Sequence, residues 1–117
     1  MATANIVYNS KPYPLKTASV AVAKDGTITV VAAVAGKSIA LLGYLAHGGM
    51  SITWKSNTTA LSGAQVYLAT APVSIWGPSR NGCPQPFFLT ETGEALIARE
   101  GNVNTGNLTV FYAEVDP

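Results

Sequence analysis

The chain has 117 residues, 48% of them hydrophobic, with seven Lys/Arg against six Asp/Glu and a net charge of +1. Lys and Arg are scattered singly, so the electrostatic footprint of a DNA- or RNA-binding protein is missing and nucleic acid is not an expected partner. Charged residues make up only 11% of the chain, against about 25% in an average soluble protein, which leaves much of the surface neutral and suits a subunit that buries surface in an assembly.

The first seventeen residues read MATANIVYNSKPYPLKT. They lack a basic segment followed by an apolar run, so the expectation is a cytoplasmic protein without a secretory signal. Pro12 and Pro14 each fix φ and remove an N–H donor, which argues against a central sheet strand. Residues 1–17 are therefore expected to form an extended N-terminal arm outside a single β-sandwich domain, 18–117. Ile6, Val7, Tyr8, Tyr13 and Leu15 give this arm apolar side chains that a solvated tail has little use for. They are the expected contacts to a neighbouring protomer or another partner, the alternative being an edge strand folded back on its own sandwich.

From Ser19 onward, period-two alternation recurs between short turn signals, the pattern of an all-β chain. Val20 and Val22 share a side, and Lys24-Asp25-Gly26-Thr27 reads as a two-residue hairpin. Ile28, Val30, Ala32 and Val34 share the next face. The stretch Val31 to Leu42, VAAVAGKSIALL, resembles the end of a phosphate-binding loop, but Val31 stands where that loop needs glycine and no capped helix follows Ser38. The same stretch falls short of a membrane span, with Lys37 at its centre and no basic flank. A turn at Ala35 to Ser38 between two strands remains.

Beyond it, Ile39, Leu41 and Leu45 are expected on one face, with Leu42 and Tyr44 on the other, and His47-Gly48-Gly49 ends the strand. Ile52 and Trp54 point inward against Ser51, Thr53 and Lys55. Ser62-Gly63 turns into Ala64 to Leu68, and Gly77 to Pro86 is too rich in Pro and Gly for regular structure. Phe87 to Leu89 and Leu108 to Val115 read as strands. Glu94 to Glu100 has helix propensity, but seven residues between two glycines favour a strand. Seven to nine strands without a long helix indicate a two-sheet sandwich of jelly-roll type.

Chemistry is sparse. His47 is the single histidine and Cys83 the single cysteine, so no metal or cofactor is expected and Cys83 reads as a buried structural thiol. Glu91 with Glu94, and Glu114 with Asp116, fall at a turn and near the C-terminus, where carboxylates are solvated charges rather than a glycosidase pair. No catalytic residues are expected, and the reading is not an enzyme. Trp54 belongs to the core. Trp76, at the mouth of the Pro/Gly loop, is a candidate for subunit packing, for the core, or for stacking on a sugar.

In order along the chain, VVAAVAGKSIALLGYLA, SITWKSNTTALSGA, the Pro-rich loop, FFLTETGEALIA and LTVFYAEV resemble small tailed-bacteriophage virion proteins of the capsid decoration (cement) and head-fibre type. The likeness covers Thr27 to Val115. It implies a compact β-sandwich made in the host cytoplasm that assembles as a homotrimer on the outer capsid surface and binds the major capsid protein. A tail or head-fibre module binding host-surface glycan is the alternative.

Overall fold

The computed structural model describes residues 5–23, 26–66, 73–80, 83–86, 88–101 and 105–117. Fourteen strands are present among them, and every strand pair is antiparallel. Two hairpin strands come first, β1 (Asn5–Tyr8) and β2 (Lys11–Pro14). The front sheet contains β3 (Lys16–Val22), β5 (Ser38–His47), β9 (Val73–Trp76), β12 (Phe88–Leu89) and β14 (Gly106–Val115). Its order is β12-β5-β14-β3, with β9 beside β12 along the same edge of β5. The back sheet runs β4 (Thr27–Val31), β13 (Leu96–Glu100), β6 (Ser51–Ser56) and β7 (Thr59–Ala60), with β8 (Gln65–Val66) also on β6. A minimal hairpin, β10 (Ser79–Arg80) with β11 (Cys83–Pro84), lies inside the Pro/Gly loop expected to be irregular.

The chain passes from one sheet to the other at β3→β4, β4→β5, β5→β6, β8→β9, β12→β13 and β13→β14, so most sequence neighbours lie in opposite sheets. This is an all-β sandwich whose alternation is compatible with a jelly roll. It also corrects the expected hairpin before Thr27. β3 pairs with β14 and β4 with β13, so the turn signal there marks a crossing between sheets; Lys24 and Asp25 themselves lie outside the described residues. A Gly-rich turn reverses the chain without choosing the partner strand.

The main core lies between the sheets. The front sheet supplies Ile39, Leu41, Tyr44, Ala46, Leu108 and Val110, and the back sheet Val30, Ile52, Trp54, Leu96 and Ala98. Trp54 is fully buried, its ring 4.9 Å from that of Tyr44. The Tyr44 hydroxyl donates to Gln65, and Ser56 Oγ donates to Glu94 Oε1 at 2.7 Å, so these two hydroxyls at the core's margin are satisfied.

One face assignment on β5 is reversed by a bulge. Tyr112 pairs with Leu41 but Phe111 with Gly43, which leaves Leu42 as an extra residue in β5. An extra residue flips the period-two alternation. Ile39 and Leu41 therefore share the core with Tyr44 and Ala46, while Leu42 faces out and Leu45 is exposed, contrary to the expected grouping of Leu45 with Leu41. A second register shift, in the β13–β4 pairing, buries both Val30 and Val31, so Ala32 is exposed rather than in line with Val30. Leu96 to Glu100 is a strand, as its alternation suggests.

The expected extended arm is instead a folded hairpin. β1 and β2 pair from Asn5↔Pro14 to Tyr8↔Lys11 around Asn9 and Ser10, which take φ of 49° and 63°. Two consecutive positive φ values make the turn whose twist suits a two-residue hairpin. The two prolines are accommodated because β2 pairs on one side only. Ile6 and Tyr13 then close a second apolar cluster on the outside of the front sheet, over Ala40, Leu42, Ala113 and Val115.

Candidate interaction face

The outer face of the front sheet has two halves. The hairpin covers one. Its underside, Ile6 and Tyr13, is buried against the chain's own sheet, with Tyr8 and Leu15 partly buried beside it. Its upper side presents Val7, and Leu89 lies next to the covered cluster through its pairing with Ala40. Of the six expected contact residues, Ile6 and Tyr13 thus use their surface within the chain, because burying two large apolar side chains on four others is favourable without any partner. Val7 and Trp76 remain open.

Two ionic contacts to Asp116 pin this half down, and a third braces the neighbouring β3–β14 pair. Asp116 accepts from Lys37 Nζ at 2.5 Å and from the Tyr13 hydroxyl at 3.4 Å, and it lies 3.7 Å from Lys11 Nζ. The hydrogen bond from Lys37, followed by its charge, lowers the Asp116 pKa, and the same hydrogen bond raises that of Lys37. Lys16 Nζ meets Glu114 at 2.6 Å, and that hydrogen bond raises the lysine's pKa. Of these two carboxylates, both expected as solvated charges, Asp116 therefore joins the hairpin and the Lys37 turn to the end of β14, and Glu114 ties the start of β3 to the same strand.

Among the described residues nothing covers the other half. The cross-strand register lays down two outward rows over β9, β5, β14 and β3: Trp76, Gly43, Phe111 and Thr17, then Ser74, Leu45, Thr109 and Ser19. No charged residue stands in either row. The Trp76 and Phe111 rings stack with centroids 4.9 Å apart and an interplanar angle of 23°. Gly43 lies under the indole, and a β-carbon there would come within 2.5 Å of Cε3 and 2.6 Å of Cδ2. The indole N–H donates to Ser74 Oγ at 3.1 Å, and Ser19 and Thr109 share a hydroxyl–hydroxyl bond of 2.9 Å. The outward rows of the back sheet differ, pairing Arg99 with Thr27 and Thr53, and Ile97 with Thr29 and Lys55.

Among the described residues, all four large apolar side chains that stay exposed lie on the front side: Val7 at 48%, Leu45 at 41%, Trp76 at 49% and Leu89 at 37%. The sequence pointed to Val7 and Trp76. It missed Leu45 because of the bulge, and Gly43 and Phe111 because their role depends on which strand lies beside β5. Alternation in LTVFYAEV does set Phe111 opposite Val110 and Tyr112, the one available signal.

His47 is exposed and borders an open cleft of 440 Å³ with Val22, Thr105 and Asn107. Among the described residues no group of three His, Cys, Asp or Glu side chains could hold a metal ion, and no helix is long and apolar enough to cross a membrane. The Cys83 side chain lies outside what the structure describes. Compared with family models, with curated proteins and with solved structures, the chain gives no match.

Proposed function

We propose that the protein is a non-enzymatic assembly subunit, a bacteriophage capsid decoration protein that forms a homotrimer and binds the major capsid protein on the outer surface of the shell. The observation that carries this reading is the one-sided surface, with every exposed large apolar side chain of the described residues on the front of the sandwich. Exposed apolar groups gathered on one side suit a protein whose work is to be buried against partners. The ordered resemblance from Thr27 to Val115 supplies the kind of partner. Within the front face, the hairpin half is assigned to assembly. Val7 and Leu89 project there, partly buried Tyr8 and Leu15 flank them, and the hairpin is braced from below by its own apolar cluster.

The mechanism is mass action. A subunit that binds the assembled lattice and not its free components stabilises the lattice by its binding free energy. Light scattering on the purified protein is expected to give about three times the 12.1 kDa chain mass, and the protein should co-sediment with capsids lacking it. Val7→Asp should weaken both. A monomer that leaves capsids unbound would overturn the reading.

A further inference from the structure

We infer that the uncovered half of the front face is a binding platform for a neutral carbohydrate, with Trp76 as its stacking surface. The alternative role for an exposed Trp, an anchor inserted into a neighbouring subunit, asks for a side chain that projects into a pocket. Trp76 does not project freely. Phe111 stacks on its ring, Gly43 lies close against Cε3 and Cδ2, and its N–H is already engaged by Ser74. Held in this way, the indole still keeps 49% of its surface open. A fixed ring with solvent-facing surface offers stacking area at no cost in ordering.

The surroundings select the class of ligand. The two outward rows carry Thr17, Ser19, Ser74 and Thr109, with Asn107 beside them on β14. Hydroxyls and an amide both donate and accept, which matches the hydroxyls of a sugar whose C–H face lies on the indole. A phosphorylated or acidic ligand would find no Lys or Arg in these rows to compensate its charge. A peptide strand would have to pair with a sheet edge, whereas Gly43 and Phe111 lie inside the sheet. The β9–β5–β14–β3 rows span four strands, about 14 Å at roughly 4.8 Å between neighbours, enough for two to three sugar rings in a line.

The test uses the full chain in its native assembly state and three soluble polysaccharides, dextran, galactomannan and, as an acidic comparison, polygalacturonate. In native gel electrophoresis, at least one neutral polymer is expected to retard the protein and polygalacturonate is not. Trp76→Ala should weaken the retardation on the order of tenfold, Trp76→Phe should retain part of it, and Thr29→Ser, on the outer face of the back sheet, should leave it unchanged. Trp54 is buried, so a change in tryptophan emission on adding the neutral polymer reports Trp76 directly, without any variant. Retardation by neither neutral polymer overturns the inference. So does protection of the Trp76 emission from acrylamide in the ligand-free assembly, or loss of oligomer mass on Trp76→Ala, since both would place a neighbouring subunit on the ring. None of these results bears on capsid binding through the hairpin half.

Discussion

Gly43 and Trp76 are cross-strand partners, and the indole of Trp76 occupies the place that a side chain on Gly43 would take. A β-carbon at that position would lie 2.5 Å from Cε3 and 3.0 Å from the Ile75 carbonyl oxygen. The backbone oxygen cannot move as a ring can, so Gly43→Ala should both displace the indole and strain the β5–β9 pairing. The expected loss is about 1 to 3 kcal/mol, the usual range for overpacking. Urea unfolding followed by tryptophan emission reads both effects. An alanine variant with wild-type stability and emission would show that the ring is not held by this approach.

Trp54 tests the main core. Its side chain is fully buried against Tyr44, and Trp54→Ala should cost about 3 to 5 kcal/mol. The indole N–H, however, has no hydrogen-bond partner among the described residues. A buried donor left unmade costs about 1 to 3 kcal/mol, so Trp54→Phe removes that cost while it opens a smaller cavity. Phenylalanine should therefore be much milder than alanine. Equal losses in chemical denaturation would mean that the donor is satisfied or that the cavity dominates.

Much of this architecture was legible because it rests on local pattern. Ile52 and Trp54 alternate with polar residues and point inward, and within Glu94 to Glu100 the residues Leu96–Glu100 form a strand where propensity alone suggested helix. Most of the failures depended on a partner strand. The bulge at Leu42 exists only because β14 pairs with both ends of β5, and no residue in SIALLGYLAH announces the extra step. The hairpin at Asn9-Ser10 was missed because its turn lacks the glycine that normally marks two consecutive positive φ values. The platform combines Gly43, Phe111 and Trp76 from three strands, and only Trp76 stood out in the sequence.

The hairpin should contribute to the stability of the domain itself. Ile6 is fully buried, so Ile6→Ala should cost about 2 to 5 kcal/mol. Ser10 sits at a φ of 63°, where a residue with a β-carbon is disfavoured by about 1 to 2 kcal/mol. Ser10→Gly should recover part of that, offset by the larger chain entropy of glycine when unfolded. Deleting residues 1–15 should lower the melting temperature and expose the Ala40, Leu42, Ala113 and Val115 cluster to an apolar dye. If the truncated chain melts with the full one and binds no dye, the hairpin is not part of the folded domain.

The attachment of the hairpin should also depend on pH through Asp116. Its carboxylate accepts from Lys37 and from the Tyr13 hydroxyl and lies near Lys11, and the Lys37 hydrogen bond is the main reason that its pKa falls below the ordinary carboxylate value. A group whose folded pKa is depressed stabilises the fold fully above its unfolded value, about 3.9 for aspartate, and loses that contribution as pH falls through the folded value. Lys37 shows the opposite direction. Its raised pKa gives a contribution that is complete below the ordinary lysine value and disappears as pH rises through the folded one. Hairpin anchoring should therefore be steady across neutral pH and weaken at both extremes. Both side chains are partly exposed, so added salt should reduce the effect. Following the Tyr13 ring resonances by NMR from neutral pH downward should show them move toward solvent-exposed values on the acid side, while Trp54 resonances from the main core stay in place. Asp116→Asn should begin nearer the acid state and respond less. An Asn variant whose Tyr13 shifts track the wild type at every pH would mean that the apolar cluster alone holds the hairpin down.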